Sequence, residues 1–187
     1  MIGCVNHPPS ERPDARRLQG SEYVDDDGSP DPALRTALAG YDAGTTPYPA
    51  VLAALAESRL VVPVVAILGE TGEGAAGADG AALVTDKSSD MAAVLLTGAD
   101  GRMALLAFSG IDSLAAWDPQ ARPVPVAAPL AAATAVQEGA AALVVDVAGP
   151  HQLVLAEDDL HRIAAGWRPV RLQDGGWGWL GAAPEGE

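Results

Sequence analysis

Ala92-Ala93-Val94-Leu95-Leu96-Thr97-Gly98-Ala99-Asp100-Gly101-Arg102-Met103-Ala104-Leu105-Leu106-Ala107-Phe108 is the stretch on which the fold turns. Two apolar runs, Ala92 to Thr97 and Met103 to Phe108, flank Gly98 to Gly101. An Asp-Gly pair between such runs is strong hairpin chemistry, because glycine takes the positive φ of a tight turn. An antiparallel strand pair is expected here. Further along, Ala142 to Val147 and Gln152 to Ala156 flank Gly149-Pro150 and read as a second hairpin.

Helices are expected around these pairs. Asp31 can cap a helix with Pro32 in its first turn, and Leu34, Leu38 and Tyr41 then recur at spacings of four and three. A second helix from Pro49 carries Val51, Leu52 and Leu55 on one face. Ile111 to Trp117 makes a short helix, capped by Asp112 and stopped at Asp118-Pro119. Pro129 to Glu138 ends at Gly139, and Glu157 to Ala165 closes at Gly166. Strand pairs separated by helices predict an α+β domain with a mainly antiparallel sheet of about five strands.

Leu60 to Leu68 is β-branched and apolar on both faces, as in a strand covered by helices. Pro63 lacks a ladder donor, which predicts an edge or bulged strand. Residues 69 to 80 hold five glycines and read as a loop. Pro123, Pro125 and Pro129 mark an extended connection. Residues 1–30 hold four prolines and Asp25-Asp26-Asp27, which predicts a disordered acidic arm. The domain is expected over 31–172, with a Gly/Trp-containing tail over 173–187 in which Trp177 and Trp179 share a face if it folds back.

The chain of 187 residues is 49% hydrophobic and 19% charged, so it has the apolar material for a core. Its formal charge of −14 is spread over arm, domain and tail, each with more acidic than basic residues. That balance argues against binding nucleic acid or an anionic membrane, since both rest on Lys and Arg. The nine residues of Leu60 to Leu68 fall well short of the roughly 20 that a membrane span needs. The single cysteine, Cys4, excludes an internal disulfide, and a cytoplasmic location is expected.

No reactive constellation is legible. Gly72-Glu73-Gly74-Ala75-Ala76-Gly77 matches a dinucleotide fingerprint formally, but no convincing helix follows it to meet a pyrophosphate. Glu157 and His161, four apart, supply two metal ligands, which is too few. Lys87, Ser88, Ser89 and Asp90 form the most chemically dense stretch, yet they lack a separately positioned base and an oxyanion site. They read as a polar binding turn beside Asp100 and Arg102. Trp117 reads first as a side chain buried against the sheet, and as a partner anchor if partly exposed. No catalytic residue, cofactor or metal site is assigned.

Lys87-Ser88-Ser89-Asp90-Met91-Ala92, Gly98 through Phe108, Ser113-Leu114-Ala115-Ala116-Trp117-Asp118-Pro119 and Arg122-Pro123-Val124-Pro125 together resemble the SseB N-terminal domain family in the form found in high-G+C Gram-positive bacteria. Ser109 stands where many members have Thr. The resemblance spans roughly Asp31 to Leu172 and implies a small α+β domain of unestablished activity with no agreed catalytic residues. With no reactive set, the leading expectation is a noncatalytic cytoplasmic protein-binding or regulatory module. Its partner is a protein, and the negative charge favours a basic one. One rival is a small-molecule sensor or enzyme using the Lys87 to Asp90 turn, with Arg102 gripping a carboxylate or phosphate. Another is a secretion-associated structural protein.

Overall fold

A computed structural model describes residues 23, 26–67 and 90–181. The glycine-rich loop at 69–80 and residues 87–89 of the polar turn lie outside the described residues. The chain runs α1 (Pro32–Asp42), α2 (Tyr48–Glu57), β1 (Arg59–Ile67), β2 (Asp90–Ala93), β3 (Leu95–Thr97), β4 (Met103–Ala107), α3 (Ile111–Trp117), β5 (Arg122–Ala127), α4 (Ala128–Gln137), β6 (Ala142–Val145), β7 (Leu153–Ala156), α5 (Glu157–Ala164), β8 (Arg168–Arg171) and β9 (Trp177–Leu180). The class is α+β. Among the described residues the strands form three sheets, ordered β2-β1-β5, β3-β4-β6-β7 and β8-β9, and only β4 with β6 is a parallel pair.

Local chemistry explains most of these elements. Asp31 accepts the Ala33 and Leu34 N–H groups at 2.7 and 3.0 Å and starts α1. In the β3–β4 hairpin, Gly101 takes φ +79° and donates to Gly98 O at 3.0 Å, as the Asp-Gly pair demands. The short helix α3 starts at Ile111 as expected, but its N-cap lies two residues before the expected Asp112. Gly110 is its N-cap, with Ser113 Oγ donating back to Gly110 O at 3.0 Å, while Asp112 accepts the Ser113 N–H. The tail also folds back: β9 pairs with β8, and Trp179 packs on the main core.

Pro63 does not drive its strand to an edge, since β1 is the middle strand of its sheet. Hydrogen bonds account for this. Val61 exchanges two backbone bonds of 2.8 Å with Phe108, and Pro63 O accepts the Val94 N–H at 3.2 Å. Both residues therefore turn their polar groups away from β5. Opposite them on β5 stand Pro125 and Pro123, whose nitrogens face outward along an open edge where no ladder donor is needed. The expected proline connection is thus an edge strand, and its prolines block pairing with another chain.

Two apolar clusters sit on opposite faces of the β3-β4-β6-β7 sheet. On one face Leu105, Ala107, Leu143, Val145, Leu153 and Leu155 meet α1, α2, α4 and α5. The buried side of α4 is Ala128, Ala131, Ala132 and Ala135, at helical spacing, and such small side chains let α5 approach closely. On the other face Leu106, Phe108 and Val144, joined by Val61 of β1, are covered by Leu114 and Trp117 of α3. Val94 links the sheets: its N–H reaches Pro63 and its carbonyl accepts the Leu106 N–H at 3.1 Å, so β2 and β3 are one path that changes sheets. Among the described residues no helix is long and apolar enough to cross a membrane.

Candidate docking surface

The second face of the β3-β4-β6-β7 sheet is only partly covered. Strand register places Leu96, Ala104, Ala142 and Ala156 in one row across the four strands, and Val154 stands beside Val144 in the next row. Leu96 is 47% exposed and Val154 is 50% exposed, while the three alanines between them are half-buried. Three interstrand gaps make this strip about 14 Å wide. Trp117 borders it, half-buried, with its ring centroid 5.5 Å from that of Phe108. Trp117 thus packs on the sheet and keeps an exposed portion.

Of the residues expected to form a site, Asp100, Arg102 and Trp117 have described side chains. Asp90 opens β2 opposite Ile67, whereas Lys87, Ser88 and Ser89 lie outside the described residues. Asp100 and Arg102 meet each other at the hairpin tip, with Nε to Oδ2 at 2.6 Å. Arg102 holds the Asp100 carboxyl below the usual carboxylate range. The rival small-molecule reading rests on the Lys87 to Asp90 turn with Arg102 as an added grip on an anion, and in the structure the Arg102 guanidinium is paired with Asp100. The hairpin does lead to the open strip, because Ala104 follows Arg102 by two residues and packs in the same cluster as Trp117.

Beside α5, Asp158, His161, Arg162, Ala165 and Trp167 line a shallow open groove. Arg162 is engaged there by Asp159 at 3.1 Å and lies 5.3 Å from the Trp179 ring centroid. Glu157 begins that helix, and among the described residues no group of three His, Cys, Asp or Glu side chains could hold a metal ion. Burial, reinforced by Asp159, pushes the Tyr48 hydroxyl up to about 12, so it stays protonated at neutral pH.

Two polar networks near the start of α3 escape a reading of the sequence. Arg59 pairs with Asp26, their side chains only 11% and 12% exposed, and also donates to Ser29 O at 2.8 Å and Ser109 O at 3.2 Å. Residues 26–30, assigned to a disordered arm, therefore lie anchored on the domain. Asp146, buried and at φ +56°, accepts the Ser109 N–H at 2.8 Å. An acidic triplet in a polar arm looks solvated, and no local pattern marks which of its members finds an arginine 33 positions away.

The Arg59 hydrogen bonds hold Asp26 below its ordinary value of 3.8, against the opposing effect of burial. A depressed folded value stabilises the anchored form above the unfolded value, and that contribution fades as pH falls through the folded one. Protection of the Gly28 and Ser29 amides, corrected for intrinsic rates, is accordingly expected to hold from about pH 8 to about pH 5 and to fall only below about pH 4. Hydrogen exchange across that range checks it, and loss of protection near neutrality would contradict the assignment.

The SseB protein N-terminal domain model matches residues 34–162, from within α1 to within α5, including both faces of the four-stranded sheet and α3. A search of curated proteins finds no match, and neither does a search of solved structures. A match over well more than half of the chain establishes the family: this chain belongs to the SseB N-terminal domain family.

Proposed function

We propose that the chain is a noncatalytic protein-binding or regulatory module that docks a protein on the open face of the β3-β4-β6-β7 sheet. The observation that carries this reading is the apolar strip itself, with Leu96 and Val154 half exposed at its two sides and Trp117 at its border. Water against such a strip is costly, and burying it supplies roughly 25 cal/mol per Å² of apolar surface. A basic partner is favoured by how the domain uses its own cations. Arg35, Arg59, Arg102, Arg162 and Arg168 each pair with an acidic side chain of the same chain, which leaves the outward field to the remaining carboxylates. The single cysteine supports cytoplasmic residence as part of the same proposal.

Capture of partners by the full chain, quantified against two variants, tests the reading. Leu96→Glu and Val154→Glu place charge on exposed positions of the strip, so the fold is expected to survive while affinity falls at least about tenfold, or about 1.4 kcal/mol. Leu130→Glu is the control, since Leu130 is 58% exposed on α4, outside the strip. A partner retained equally by wild type, Leu96→Glu and Val154→Glu removes the docking face from consideration.

A further inference from the structure

Segment 26–30 converges on one place. Ile111 N–H donates to Gly28 O at 2.9 Å, and Arg59, which pairs with Asp26, also holds Ser109 O. Gly28 sits at φ +80°, and a Cβ there would lie 3.0 Å from Ile111 Cβ. A Cβ on Gly110 would lie 2.9 Å from Pro30 Cδ. Each contact falls on Arg59 or on the Ser109–Ile111 turn that leads into α3. That helix has seven residues, too few to persist unsupported, and it covers the Phe108 cluster with Leu114 and Trp117. Outside this turn α3 is held by the packing of Leu114 and Trp117 and by Arg35 to Asp112 at 2.5 Å, a pair of half-exposed side chains of a class that contributes little.

We propose that Asp26–Pro30 is a latch. While Asp26 is seated on Arg59, the strap clamps the lead-in turn and holds α3 over the sheet. Unseating the strap frees α3, bares Leu106, Phe108 and Val144, and extends the open strip across the second face. The extent of the docking surface is then set by the state of the strap. What the enlarged face serves rests on the docking reading above, but the latch itself is measured with no partner present.

Hydrogen exchange of the full chain tests it, comparing wild type with Asp26→Asn, which removes the charge pair, and Gly28→Ala, which strains the positive φ and crowds Ile111. Amides of residues 111–117 are expected to exchange at least about tenfold faster in both variants, and binding of the apolar dye ANS is expected to rise severalfold. Amides of α4 and β6 are expected to stay within about twofold of wild type. Three results overturn the latch: α3 rates unchanged although the Gly28 and Ser29 amides show the strap released, acceleration spread evenly over α3, α4 and β6, or a strap still protected in both variants. None of these bears on the Leu96 and Val154 capture result, so the two proposals fail separately.

Discussion

Phe108→Ala is expected to lower the unfolding free energy by about 3–5 kcal/mol, a large share of the roughly 5–15 kcal/mol available to a domain. Phe108 is 0% exposed and is the only phenylalanine of the chain. Its ring packs between Trp117 and the sheet, and among the described residues no aromatic besides Trp117 belongs to this cluster. Its backbone forms the isolated bridge to Val61 that joins the β1 and β4 sheets, so a cavity here loosens the seam between them. Urea titration of wild type, Phe108→Leu and Phe108→Ala checks the expectation. The leucine variant should lose clearly less, because most of the apolar volume remains. An alanine variant within about 1 kcal/mol of wild type would show that this cluster does not support the fold.

The second large effect is expected at Asp146, where two causes can be separated. At φ +56° a side chain with a Cβ costs about 1–2 kcal/mol, less for Asn and Asp, and leaving the buried Ser109 N–H without an acceptor costs about 1–3 kcal/mol. Asp146→Ala incurs both and should lose about 2–4 kcal/mol. Asp146→Asn keeps an acceptor and tolerates the left-handed conformation, so it should be nearly silent. Asp146→Gly relaxes the backbone but keeps no acceptor, so the step from Gly to Ala reports the strain and the step from Asn to Gly reports the hydrogen bond. Equal losses for Asn and Ala would mean that the carboxylate charge, not its position, is what the Ser109 turn requires. Either way the residue bears on the same lead-in to α3 that the strap grips.

Elements governed by neighbours in sequence were legible. The Asp31 cap, the Gly98–Gly101 turn and the glycines that close α4 and α5 each act within about four residues, and each stands where its chemistry puts it. The site was far less legible. Leu96 and Val154 lie in strands apolar on both faces, where alternation carries no signal about which face is covered. Asp100 and Arg102 were visible as polar hairpin residues, but not that they satisfy each other. In α4 the alanines mark the side buried against its neighbours.

The sequence by itself determined the α+β class and the order of helices and hairpins, because these follow from turn chemistry, capping and apolar periodicity over short spans, while its motif residues carried the family resemblance. The tertiary structure alone decided the three-sheet arrangement, the central place of β1 despite Pro63, the seating of Asp26 on Arg59 and the exposure of the Leu96 to Val154 strip. Each of those depends on which distant groups meet: a proline is tolerated when the facing carbonyl is bonded elsewhere, a carboxylate orders its segment when an arginine waits at the right depth, and a sheet face opens where, among the described residues, the helix covering it is short.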